Sequence, residues 1–410
     1  MRSSALVLTL VLGLVAGCGG GDGGSGGGKT AKGGNNGTPQ VTIVPANGSG
    51  KARPDQGVTV SAAGGTLGKV SVKLKGADVP GTFSPDKTRW RSKWTLRPGG
   101  GYQVSATATS PQGKSTTATS AFRTSRATAA TRINNVVPSE NETVGTGMPV
   151  FVQFNKTVPE KAKPAIERSI EISSTTPTEG AWRWLSAGES FNGLPSVVFR
   201  PKRPWKPHQK VSVTVNYAGL RIGDDVFGDK SVTRNFKIGD SHTVTINAKT
   251  HRLVAKENGR TVRNWGVSLG SGGEVKNGVD TLLTTSGVHL TMDRSRMERM
   301  VSPGKKKGDP GYYDEKIPWA TRITNSGVYI HQNTEDPSCL GRRNCSHGCI
   351  RSPTADAKWF YNWSYRGDLV NVTGTKRELG WTNGWAYWQL PFPKWAKGSA
   401  LDKPVTTSRA

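Results

Sequence analysis

Asn344-Cys345-Ser346-His347-Gly348-Cys349-Ile350-Arg351-Ser352-Pro353 is the stretch that decides the reading of this chain, together with Tyr329-Ile330-His331-Gln332 upstream. The apolar run Val328 to Ile330 reads as a buried strand that delivers His331. Cys349 follows 18 positions later, behind a Ser-His-Gly turn. A thiol is a weak nucleophile at its ordinary pKa of about 8.5, so cysteine chemistry needs a neighbouring imidazole to take the proton. His331, on a separate strand, is the candidate base; His347 is only two residues from the sulfur and its ring need not face it. Downstream, Ser352 reads as an N-cap and Pro353 as the first residue of a helix. Ala355, Trp359 and Trp363 lie on its one buried face and Gly367 ends it. This reading places Cys349 in the turn feeding a helix N-terminus, with backbone N–H groups around Gly348 able to hold an oxyanion.

Two plainer readings compete. A buried free cysteine behaves as a small hydrophobe, and without the flanking Ser-His-Gly that would be the expectation for Cys349. Cys339, Cys345, His347 and Cys349 with His331 also suggest zinc, but the cysteine spacings do not match the usual knuckle pairs.

Ser346-His347-Gly348-Cys349-Ile350-Arg351, with His331 upstream, resembles the signature of the L,D-transpeptidases (YkuD-type catalytic domain) over roughly His242 to Thr373. The resemblance implies an enzyme without metal or cofactor that cross-links bacterial peptidoglycan. It implies that Cys349 attacks the L,D-peptide bond of a tetrapeptide stem, that His331 is the base, and that the main-chain carbonyl of Gln332 steadies its ring. By the same resemblance Ser346, His347 and Gly348 shape the oxyanion site, and Tyr313, Gln332 and Arg351 face substrate. Tyr313 matches the aromatic residue of a lid, by its 18-residue offset before His331. Three rivals are an L,D-carboxypeptidase, a cysteine protease of another fold and a non-catalytic wall-binding lipoprotein.

The whole chain reads as mainly β. Residues 1–17 form a secretory signal: Met1-Arg2, an apolar run from Ala5 to Ala16 too short to span a bilayer, then small residues. Val15-Ala16-Gly17-Cys18 resembles a lipobox, which implies a lipidated Cys18 and a membrane anchor. Residues 18–39 continue as a glycine-rich tether. Period-two Val and Thr runs punctuated by Gly, Pro and Asp predict an immunoglobulin-like β-sandwich at 40–126 and a second at 127–239. The paired blocks look like those preceding the catalytic domain in actinobacterial L,D-transpeptidases, and both are read as stalk.

The catalytic block at 240–373 opens with Thr243 to Ile246, Arg252 to Ala255 and an Asn258-Gly259 hairpin signal; Val267 to Gly270 and Gly287 to Leu290 read as further strands. The polar, lysine-rich segment between Met292 and Tyr313 reads as one long loop. Residues 374–410 form a tail dense in tryptophan. A similar tail in the related enzymes packs between catalytic domain and sandwich; a sugar-binding platform is the alternative.

The chain carries 56 Lys and Arg against 29 Asp and Glu, a net charge of +27. So basic a protein suggests nucleic acid first; a secretion signal excludes that, and the basic surface suits an anionic cell wall. Among the 4 cysteines, one is expected to be lipidated and one catalytic, leaving Cys339 and Cys345 to pair in an oxidising compartment.

Overall fold

The structure is a computed structural model that describes residues 37–127, 129–190 and 192–410. The signal, Cys18 and most of the glycine tether lie outside the described residues. Alternating burial along Gly101–Thr109 (exposed, buried, exposed, buried) shows how the first sandwich forms: one face of the strand is apolar and needs cover. Two four-stranded sheets supply it, one built on Gln40–Val44 and Thr59–Ala63, the other on Thr66–Leu74, Gly101–Thr109 and Ser115–Arg123. Val60, Leu67, Trp90, Val104 and Ala106 fill the space between them.

The second sandwich has two five-stranded sheets, and each ends in a strand from the far C-terminus. Val405–Thr406 pairs with Glu179–Leu185, and Ser408–Arg409 pairs with Ile170–Ser174. The tail is therefore part of this sandwich. Its aromatic residues Trp385, Tyr387 and Trp395 are buried in the sandwich core beside Phe151, Trp182 and Phe199. Arg200 sits beneath them with 2% exposure. Its guanidinium lies 5.1 Å from the Trp388 ring centroid and 5.3 Å from that of Trp395, and it donates to the carbonyls of Tyr387 (2.8 Å) and Leu390 (3.0 Å). Burial pulls its pKa down to about 10, so it is still charged at neutral pH. The tail reaches the catalytic domain as well: the amide of Val288 donates to Gln389 Oε1 (2.7 Å), and that of Leu379 to the Ser286 carbonyl (2.9 Å).

The catalytic domain is built on two sheets. Five strands run in the order Arg260–Gly266, Arg252–Glu257, His242–Asn247, Leu369–Thr373, Gly287–Leu290. Four run in the order Arg294–Val301, Asp314–Arg322, Tyr329–Gln332, Ile350–Ser352. Val244, Ile246, Leu253, Ile330, Ile350 and Phe360 make a core between them.

Three local expectations need correction. The segment between Met292 and Tyr313 is not one loop: Arg294–Val301 is a strand paired with Asp314–Arg322, leaving 302–313 as the loop. Val267 to Gly270 adds no named strand; Ser268 and Gly270 make single bridges to Arg351 and Ser346. The helix runs Thr354–Trp363, and Ser352 ends a strand instead of capping it, because its hydroxyl accepts from the Trp265 indole (3.0 Å). Ala355 is exposed, and Ala357 and Phe360 carry the buried face.

Trp395 is wholly buried and donates to the Ala181 carbonyl (2.9 Å). Trp395→Ala is expected to destabilise the second sandwich by about 3–5 kcal/mol, the range for large aromatic truncations. Urea unfolding followed by circular dichroism checks this; a loss under about 1 kcal/mol would contradict the core role of the tail.

Candidate active site

Parallel pairing brings the two halves of the site together. Tyr329–Gln332 runs beside Ile350–Ser352 with Ile330 opposite Ile350 and His331 opposite Arg351. Side chains alternate along a strand, so Ile330 and Ile350 face the core, where both are fully buried. His331, Arg351 and, two residues earlier, Cys349 take the other face and line one cavity of about 480 Å³. Ser346, His347, Gly348, Tyr313 and Glu335 line it too.

The ring of His331 has a fixed proton. Its Nδ1 lies 2.6 Å from the Gln332 carbonyl, which can only accept, so Nδ1 carries the hydrogen and the neutral ring keeps its lone pair on Nε2. Burial lowers the His331 pKa to about 4; the Gln332 hydrogen bond opposes the shift and the Arg351 cation adds to it. Burial raises the Cys349 thiol to about 11, against the Tyr329 amide and the cations of Arg351 and Arg322. The thiol donates to the Gly327 carbonyl at 3.5 Å. Burial thus disfavours the charged form of each group.

Side chains hold the turn before Cys349 from both sides. Ser346 Oγ donates to the Cys349 carbonyl (2.6 Å) and accepts from the Gly348 amide (3.1 Å). Thr284 donates to the Gly348 carbonyl (2.7 Å). Gly348 has φ +130°, a conformation that side chains resist. Asn344 anchors the approach, accepting from the Leu269 amide (3.1 Å) and donating to the Ala248 carbonyl (3.0 Å). Cys339 and Cys345 are joined as a disulfide, which commits two of the three sulfurs that a zinc reading would use.

Several assignments change here. The Gly348 amide is taken by Ser346 and is not free for an oxyanion; among the described residues the amides of His347 and Cys349 have no protein acceptor. Arg351 is buried and tied bidentately to Glu335 (2.5 and 2.8 Å), with a longer contact to the Cys345 carbonyl (3.4 Å). Its guanidinium is thus ion-paired while the residue still lines the cavity. Gln332 contributes its main-chain carbonyl, and its side chain does not line the cavity. A strand, not a helix N-terminus, follows Cys349. Tyr313 stands at the cavity with its ring 5.1 Å from that of the exposed His347. Burial and the nearby Cys349 raise its phenol. Thr284, Asn344 and Glu335 were not singled out from sequence, since each acts through a partner far along the chain and belongs to no local pattern.

A cysteine and a base on one wall of a cavity, in a mainly β protein behind two sandwiches, define a candidate site for cysteine nucleophilic chemistry. The family model of the L,D-transpeptidase catalytic domain matches residues 241–372, and that of a bacterial Ig domain matches 49–221. L,D-transpeptidase 2 of Mycobacterium tuberculosis is 32% identical over 366 residues, 88% of this chain and 85% of that protein. L,D-transpeptidase 5 of the same species is 27% identical over 374 residues, covering 91% and 79%. A solved L,D-transpeptidase from Mycobacterium smegmatis shares 25% identity over 60% of this chain and 99% of its own, with a TM-score of 0.47. The chain belongs to the L,D-transpeptidase family.

The protonation state of the resting pair is open to measurement. Inactivation by iodoacetamide should accelerate about tenfold per pH unit from about pH 7 to about pH 10, because the thiolate fraction grows by that factor below the thiol pKa. A rate that is flat above about pH 6 would instead show a thiolate–imidazolium pair at rest.

Proposed function

We propose that the enzyme joins peptidoglycan stem peptides through a thioester on Cys349, giving 3→3 cross-links. What supports the reading most is the shared face of the paired strands, on which Cys349 lies beside a His331 whose Nε2 is left as the acceptor. In the first half-reaction His331 Nε2 takes the thiol proton as the sulfur attacks the carbonyl before the terminal D-residue of a tetrapeptide stem. The amides of His347 and Cys349 receive the negative charge that develops on the carbonyl oxygen. Collapse of the tetrahedral adduct breaks the peptide bond, and the departing amine takes the proton from His331. In the second half-reaction the side-chain amine of an acceptor stem attacks the thioester and gives a proton to His331. The sulfur leaves and is reprotonated. A raised thiol pKa suits both halves, since proton transfer accompanies attack and no charged nucleophile need persist in the buried cavity.

The surroundings belong to the same reading. Cys18 carries lipid that holds the protein at the outer face of the membrane, the glycine tether and two sandwiches raise the catalytic domain, and the basic surface faces an anionic wall.

Incubating the protein with a disaccharide-tetrapeptide and weighing the products tests the chemistry. The expected product is a dimer lighter than two monomers by one terminal amino acid, with its release dependent on Cys349. A tripeptide monomer would mean hydrolysis, and unchanged substrate would mean a binding protein. Cys349→Ala should remove turnover while changing stability by less than about 1 kcal/mol, since the residue lines the cavity and is not part of the apolar core.

Cys18→Ala is expected to move the protein out of the membrane fraction. Two or more acyl chains on one residue give stable anchoring where a single chain is marginal. Retention of the variant with membranes after a salt wash would contradict the lipid anchor.

A further inference from the structure

The first sandwich is far more basic than its neighbour. Residues 40–126 carry 13 Lys and Arg against 3 Asp and Glu, whereas residues 127–239 carry 15 against 10. A spacer needs no such excess, because like charges on a small domain repel and lower its stability. Part of the charge gathers at one place. A groove of about 880 Å³ opens between the loop at 46–50, the hairpin tip Lys75-Gly76 and the loop at 97–100, and its lining contains no carboxylate. Lys73, Lys75, Arg97 and Arg123 line it, and all four are exposed.

These four cations differ from others near them. Arg53 pairs with Asp55, and Lys93 pairs with Glu171 of the second sandwich. Among the described residues none of the four groove cations is in an ion pair. Asp78, across the strand pair from Lys73, is the nearest acid in register and lies outside the lining. Arg123 is held in place by donating to the Gly99 carbonyl (3.2 Å). Glycines make up part of the wall, and a Cβ at Gly48, Gly50 or Gly76 would meet nothing within 4 Å. The groove is thus a broad concavity open to solvent, lined by two guanidinium forks and two ammonium groups.

We propose that this groove binds a flexible polyanionic chain of the cell envelope, one whose repeated phosphate or carboxylate groups pair with Lys73, Lys75, Arg97 and Arg123. Four unpaired cations spread along one open groove, with no carboxylate in its lining, match the spaced charges of a polyanionic strand. The inference deepens the anionic-wall part of the proposed function and is independent of acyl transfer. The first sandwich then acts as a second point of attachment to the polymer network on which the catalytic domain works.

Full-length protein in neutral detergent is titrated with fluorescent inorganic polyphosphate and, separately, with poly-glutamate of similar length, at low and high salt. Binding of at least one polymer, weakened by salt, is expected. The combined Lys73→Gln, Lys75→Gln, Arg97→Gln and Arg123→Gln variant should lose at least tenfold in affinity. A control variant neutralising Lys69, Lys87, Arg89 and Arg91 on the same domain, outside the groove, should stay within twofold. The two polymers tell phosphate from carboxylate recognition, and either supports the site. Turnover of a soluble stem peptide should be unchanged in both variants, which separates failure here from failure of the catalytic reading. Each single groove substitution should weaken binding several-fold, which keeps the test decisive if the fourfold variant folds poorly. Equal losses in the groove and control variants, or no binding of either polymer, would overturn the proposal.

Discussion

The register of one short parallel pair governs the site. Ile330 opposite Ile350 buries one face of both strands, and that burial forces His331, Cys349 and Arg351 onto the other. A slip of one residue would turn the histidine into the core and the isoleucine toward the cavity. The penalty would be large, since a buried Ile contributes about 1.5–3 kcal/mol and an uncompensated imidazole in its place would cost more. The apolar core thus selects the catalytic geometry before any catalytic group touches another.

Strand pairing alone does not fix the turn that precedes Cys349, and the surrounding residues supply that rigidity. Ser346 bridges across the turn, Thr284 holds the Gly348 carbonyl, and Asn344 ties the incoming chain to Leu269 and Ala248. The Cys339–Cys345 bridge closes a loop so short that chain entropy gives only about 2 kcal/mol. Its larger effect is local. Cys345 is fixed through the sulfur, while its amide donates to Ser268 Oγ and its carbonyl receives Arg351. The residue that opens the nucleophile turn is therefore held at three points.

What the sequence disclosed divides along the same line. His331, Cys349 and the cysteine pair were legible as candidates because each is marked by residue type and near-neighbour order, while the Gln332 carbonyl came from the family resemblance and is seen at His331 Nδ1. The sandwiches were legible from period-two runs, as along Gly101–Thr109. The helix start was misplaced because Ser352 looks like a cap by local chemistry, while its hydroxyl is claimed by Trp265, 87 positions away. The pairing of Arg351 with Glu335 was not legible, because nothing local in the sequence marks it. The tail is the largest case. Its tryptophans signalled burial, but only the fold shows that Arg200 lies beneath them and that two terminal strands complete both sheets of a sandwich begun some 270 residues earlier.

Electrostatics set the last constraint. A buried thiol and a buried imidazole each pay for ionisation separately, which drives the thiol up to about 11 and the imidazole down to about 4. Arg351 lies close enough to favour a thiolate and disfavour an imidazolium. Glu335 holds the Arg351 cation in a bidentate pair beside the site. Burial therefore disfavours a charged pair at rest and favours moving the proton together with attack on a carbonyl carbon. Such a preference protects the only free thiol among the described residues from oxidation and disulfide exchange in an oxidising compartment, because both require the thiolate.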